Sequence, residues 1–161
     1  MAKNSNCIEK FLSELTDIYV YDSKDCNMPI PFGVANLVSM RFALPATPLL
    51  HISIDSDNNE VSALPQSMKA EYQSQQTASG VIYSHTVAAD VEQGFDNVRN
   101  VANAYKHENC YVVLRDVNAN NYLLYTLPNT FLIDEKQGKS TEHTCRISIS
   151  LKSMSGYIDI D

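Results

Sequence analysis

The chain has 161 residues, 44% of them apolar, and a net charge of −7 from 12 basic and 19 acidic side chains. That length supports one domain, 1–161, whose core needs no metal or disulfide staple, and the composition argues against wholesale disorder. A phosphate backbone is repelled by the acidic balance, no Lys/Arg cluster offsets it, and no run approaches membrane-spanning length, so neither specific nucleic-acid binding nor a membrane partner is expected.

The four cysteines, Cys7, Cys26, Cys110 and Cys145, form no CxxC pair. Cys110 opens an apolar run and Cys145 lies on an apolar face, so both read as buried thiols. The opening Met1-Ala2-Lys3-Asn4-Ser5-Asn6 lacks the apolar segment of a signal peptide, and synthesis in the cytoplasm with reduced thiols is expected.

In chain order, Asn6–Leu15 predicts a helix. Cys7, Ile8, Phe11, Leu12 and Leu15 fall on one stripe, with Asn6 as N-cap and Glu9 three residues on. So short a helix is marginal alone, and residues 1–17 are expected to dock on the sheet or on a neighbouring chain as an arm. Ile18–Tyr21 reads as a short strand, Asp22–Pro31 as irregular, and Gly33–Leu44 as a strand of unclear period. Leu49–Asp55 alternates cleanly, with Val61–Leu64 as its return partner. Residues 65–79 read as a mobile loop or arm: Lys69–Gln76 is an edge strand or extended arm, and Gln73–Ser79 a loop.

Val81–Val87 is a strand entered through Gly80. Asp90 is placed as N-cap of a helix over about 91–105, whose seam is Val91, Phe95, Val98, Ala102 and Tyr105. Cys110 to Ile133 carries the strongest signal in the chain. Two aromatic and β-branched runs, Tyr111–Asp116 and Tyr122–Leu127, flank an asparagine-rich turn, which is the pattern of a β-hairpin. Both faces of both runs are mostly apolar, so the hairpin must be covered on two sides. Asp134–Ser140 reads as a turn. Glu142–Lys152 places Cys145, Ile147, Ile149 and Leu151 on a buried face and Thr144, Arg146, Ser148, Ser150 and Lys152 on a wet one. Tyr157–Ile160 is a last short strand. The fold class expected is mainly β: an antiparallel β-sandwich or barrel, with the N-terminal helix and the 91–105 helix packed on it.

Chemistry finds little footing. Asp55-x-Asp57-x-Asn59 begins like a calcium loop, but Glu60 stands where glycine is needed and Gln66 where glutamate is needed. Asp116-x-Asn118-x-Asn120 fails likewise at Asn121 and Leu127, and both stretches read better as hairpin loops. His51, His85, His107 and His143 show no zinc spacing. A Cys–His dyad from Cys110 or Cys145 is disfavoured, because an apolar setting raises a thiol's pKa. Nucleophile-elbow, P-loop and dinucleotide motifs are absent. No catalytic, cofactor-binding or metal-binding residue is assigned, and no cofactor is expected.

From Gly80 to Ile160 the order of elements resembles virion proteins of tailed phages that infect gut Bacteroidetes. The resemblance rests on the Gly80–Val87 strand, the following helix, the Tyr111–Asp116 and Tyr122–Tyr125 strands, and the closing Arg146–Leu151 strand. Many of those proteins carry Asn-Gly or Asp-Gly at the hairpin, where this chain has Asn118-Ala119-Asn120-Asn121. The resemblance implies a non-enzymatic structural component of the particle, a neck, connector or tail protein. It also implies a homo-oligomeric ring, other virion proteins such as portal, neck or tail components as partners, and a final location in the virion. From a different class, the residues also fit a monomeric β-sandwich that binds a small ligand or peptide.

Overall fold

The computed structural model describes residues 9–12, 14–22, 39–40, 47–54, 61–64, 66–93, 95–106, 110–127, 130–137 and 145–160. They form twelve strands and one helix. Four strands make one antiparallel sheet: β6 (Lys69–Thr77), β7 (Gly80–Gln93), β11 (Cys145–Ser153) and β10 (Leu132–Gln137), in that order. Four more make a second: β4 (Leu50–Ser53), β2 (Leu15–Asp22), β8 (Cys110–Asp116) and β9 (Asn121–Tyr125). β1 (Glu9–Leu12) extends the first sheet beyond β6, while β12 (Ile158–Ile160) and β3 (Ser39–Met40) extend the second beyond β9. β5 (Val61–Ala63) joins the two, pairing with β4 on one side and the end of β7 on the other.

Alternation explains which faces meet. Cys145, Ile147, Ile149 and Leu151 of β11 are buried in one core with Val87, Ala89 and Val91 of β7, and with Ile18, Val20, Val112, Leu114 and Leu124 of the second sheet. The opposite face of β2, β8 and β9 is buried too, in a smaller cluster of Tyr21, Tyr111, Val113, Leu123, Ile158 and Ile160. The hairpin is therefore apolar on both sides for the reason its composition suggests: each face belongs to a different cluster. Cys110 and Cys145 are buried and are in no disulfide among the described residues.

The helix, α1 (Phe95–Tyr105), runs between β10 of the first sheet and β4 and β5 at the margin of the second. Val98 and Val101 enter the main core from it. Its start is later than periodicity suggests. Val91 is fully buried and paired with both Cys145 and Ala63, so the ladder holds β7 through Gln93. Asp90 is accordingly a strand residue that ion-pairs with Arg146 at 3.1 Å, not a helix cap.

Four other expectations are corrected. Where the N-terminal helix was expected, Glu9–Leu12 is a strand paired with Ala70–Gln73 of β6, and Leu15 already belongs to β2. The exposed backbone groups along β6 outcompete a helix too short to hold itself. Asn6, Cys7 and Ile8 lie outside the described residues. The loop expected over Gln73–Ser79 is strand as far as Thr77, with only Ala78 and Ser79 in the turn. The turn expected from Asp134 is ladder through Gln137, because β11 supplies partners that composition cannot reveal. Val61–Ala63 does pair with β4, but in parallel and not as a hairpin return.

Candidate functional site

Three polar clusters and one groove stand out among the described residues. The first cluster is the β8–β9 turn. Asp116 closes it by accepting the backbone N–H groups of Asn118 and Asn120, both at 2.9 Å, and the Tyr122 hydroxyl at 3.1 Å. Partial burial would raise the Asp116 pKa, but these hydrogen bonds outweigh it and hold the carboxyl below its ordinary value. The carboxylate's lone pairs point at donors, so this loop is a backbone clasp and not a cation cradle. The Asp55–Asn59 stretch lies outside the described residues.

The second cluster lies on the face of β2 and β4 turned away from the main core. Asp17 accepts from Nε2 of His51 at 2.8 Å and from the Thr16 hydroxyl at 2.7 Å. His51 stacks on Tyr19 with ring centroids 4.3 Å apart, and the Arg115 guanidinium sits 5.8 Å from the centre of the same Tyr19 ring. Burial pushes the Asp17 pKa up, and the hydrogen bonds from His51, Thr16 and Ser53 bring it below its ordinary value. Serine, histidine and aspartate are thus neighbours, but the carboxylate is the hub. Acyl transfer needs the imidazole between hydroxyl and carboxylate. Here Ser53 is buried and bonded to Asp17 itself.

The third cluster is aromatic. His85, on the core-facing side of β7, pairs across the ladder with Tyr72 of β6. Tyr157 contacts Tyr72 edge-on at 4.9 Å, His85 at 5.7 Å and Tyr122 of the second sheet at 6.1 Å. Nε2–H of His85 donates to the Ser155 carbonyl at 2.9 Å, while Nδ1 is buried without a hydrogen-bond partner. Burial holds the imidazole pKa down to about 4, so the ring is neutral at neutral pH. Burial likewise pushes the Tyr157 and Tyr72 hydroxyls above their ordinary value. Gly156 completes the packing, because a Cβ there would run into the Tyr72 hydroxyl. These rings touch one another. They act as a plug that ties the two sheets together.

The groove is different in kind. It is open, about 260 Å³, and lies between α1 and β10, with Val98 and Ala102 on one wall, Leu132 and Asp134 on the other, and Asn103 and Lys106 at its rim. The Arg99–Glu135 ion pair, 2.5 Å long, ties helix to strand across it. Its lining holds no serine, threonine, cysteine or histidine. Val98 and Ile133 lie buried beneath it, and its exposed lining is mostly polar, with Arg99, Asn103, Lys106, Asp134 and Glu135 supplying charged and amide groups but no hydroxyl, thiol or imidazole. Sequence reading missed this groove because Arg99 and Glu135 are far apart along the chain and meet only when α1 packs beside β10.

Of the histidines singled out from sequence, His51 and His85 lie in separate clusters; His107 and His143 lie outside the described residues. Among those residues no group of three or more His, Cys, Asp or Glu is arranged to hold a metal ion, and no helix is long and apolar enough to cross a membrane. Comparison with protein-family models, with curated proteins and with solved structures finds no match to this chain. What the fold and its sites define is a mainly β protein with one helix, whose polar clusters hold backbone and sheets together and which carries an open groove between α1 and β10.

Proposed function

We propose that the chain is a non-enzymatic structural component of a tailed-phage particle, a ring-forming neck or tail protein made in the host cytoplasm and built into the virion. We also infer that its two sheets pack face to face as a β-sandwich, with α1 along one side. The observation that carries the reading is the β6–β7 ribbon. The two strands stay paired out to Thr77 and Gly80, whereas the ladder of β11 ends at Ser153 opposite Tyr83. Residues 154–156 then bend and form no strand. The ribbon thus outruns its neighbour, and an isolated two-stranded ribbon is marginal in water unless it packs on something else. A ring subunit supplies that something in its neighbour. The resemblance over Gly80–Ile160 points the same way.

A second reading, a monomeric β-sandwich that binds a small ligand or peptide, is favoured by the α1–β10 groove, whose volume approaches that of ligand sites. Light scattering on purified protein separates the two. Assembly predicts oligomers at high concentration or on mixing with candidate portal, neck or tail proteins. A strict monomer that ignores all of them contradicts it. Portal and capsid genes beside this one would support the virion reading independently.

A further inference from the structure

Between β11 and β12 the chain passes from one sheet to the other. β11 ends at Ser153 opposite Tyr83 of β7, and β12 begins at Ile158 opposite Leu123 of β9. Residues 154–157 make that crossing without joining a strand. Hydrogen bonds and rings hold the crossing down. The Ser155 N–H donates to the Ser153 hydroxyl at 3.2 Å, and the Ser155 carbonyl accepts from Nε2–H of His85 at 2.9 Å. The Tyr157 ring sits among those of His85, Tyr72 and Tyr122. Gly156 lies against the Tyr72 hydroxyl, which leaves no space for a Cβ.

His85 is 1% exposed, and one of its two ring nitrogens is committed to this crossing. The other, Nδ1, is buried with no hydrogen-bond partner among the described residues. The titratable groups packed around the imidazole are phenols. Tyr72 of β6 and Tyr157 of the crossing touch it, Tyr83 of β7 lies against Tyr72, and Tyr122 of β9 lies against Tyr157. Glu71 is exposed, and its charge bears on Tyr157. No carboxylate among the described residues offsets the burial of His85.

A proton added at Nδ1 therefore makes a cation whose new N–H donor is sealed from water, which is costly until water reaches it. The sheet side offers no easy way in. His85 is flanked in the ladder by Tyr72 on β6 and Leu151 on β11. The crossing has no ladder to break, and segments with few backbone hydrogen bonds open before the core strands do.

We propose that residues 154–157 form an acid-opened latch: protonation of His85 at Nδ1 lifts Gly156 and Tyr157 away from the imidazole and admits water, while both sheets keep their ladders. The latch needs no partner, so it holds for a ring subunit and for a monomer alike. Burial holds the imidazole down to about 4 from 6.5, so the closed latch refuses a proton that the opened one accepts. The opened fraction accordingly rises about ten-fold for each unit that pH falls between those values, and roughly a hundred-fold in all from pH 7 to pH 4.

Amide exchange on the full chain at pH 7, 5.5 and 4, corrected for intrinsic rates and repeated in low urea, tests this. The Ser155 N–H is expected to lose about a hundred-fold of its protection from pH 7 to pH 4 with little dependence on urea, the mark of a local opening. Val112 and Leu114 of β8 are expected to exchange with the steep urea dependence of global unfolding. In His85→Phe the pH dependence at Ser155 should vanish. A Ser155 amide that follows urea as steeply as the β8 amides overturns the latch, and so does a pH dependence that survives in His85→Phe. If that variant fails to fold, the wild-type imidazole is titrated directly by NMR. A midpoint near 4 is expected, and one at the ordinary 6.5 overturns the proposal.

Discussion

His85 is the side chain whose chemistry the fold changes most. Its pKa falls from 6.5 to about 4 because it is buried among tyrosines with no anion beside it. The unfolded chain therefore binds a proton between those values that the folded chain refuses. Stability from this group is full above about pH 6.5 and is lost as pH falls toward 4, by roughly 3 kcal/mol in all. His85→Phe, which keeps the ring packing, is expected to remove most of that loss; urea denaturation at pH 7 and pH 4 measures it. An undiminished loss would mean the ring is not held neutral. Asp17 and Asp116 act in a different window. Their pKa values are lowered, so their contribution is present above the ordinary carboxyl range and fades below it. The variant should keep that more acidic sensitivity. Ala119 offers a converse test. It sits at φ 65° in the β8–β9 turn, a conformation that disfavours a side chain. Ala119→Gly is expected to raise stability by about 0.5–1 kcal/mol, read as a shift in the urea midpoint at constant slope.

Along β7, one edge is shared by two partners, and a serine manages the change. β6 pairs as far as Lys69 opposite Ala88, and β5 takes over at Ala63 opposite Val91. Between them the Ser67 hydroxyl donates to the Leu64 carbonyl at 2.7 Å and accepts the Asp90 N–H at 3.1 Å. The Leu64 N–H in turn donates to the Asp90 carbonyl at 2.8 Å. Ser67→Ala leaves the Asp90 N–H without that acceptor and is expected to cost about 1–2 kcal/mol. Amide exchange should show the Asp90 N–H losing protection while the β10–β11 ladder keeps it. Much of this region was readable beforehand as strand. The handover was not, because it depends on where two non-adjacent segments land on one edge.

The whole molecule is held as one body by side chains that cross between sheets. Tyr157 touches Tyr72 and His85 of the first sheet and Tyr122 of the second. Tyr157→Ala is expected to destabilise by about 3 kcal/mol or more, the range for deleting a large packed ring, whereas Tyr157→Phe should keep most of the stability. Because the main core draws on both sheets, thermal unfolding followed by circular dichroism and by tyrosine fluorescence should give one coincident transition. Two separate transitions would mean that the sheets unfold independently.

Alternation in Cys145–Leu151 and the doubly apolar hairpin at Tyr111–Tyr125 were legible from residue order, since a strand's period of two assigns each side chain to a face before any partner is known. The 91–105 helix was legible in kind but not in its first turn, where Val91 gains more from two strand partners than from helical spacing. The N-terminal stripe, the Gln/Ser-rich ribbon and the charged end of β10 misled for a common reason. Each becomes strand only because a distant edge offers it hydrogen bonds, and local composition carries no record of that offer. The α1–β10 groove and the Tyr157 plug belong to the same class of fact. They exist where segments far apart in the chain are brought side by side, and such meetings follow from packing of the whole and not from any window of residues.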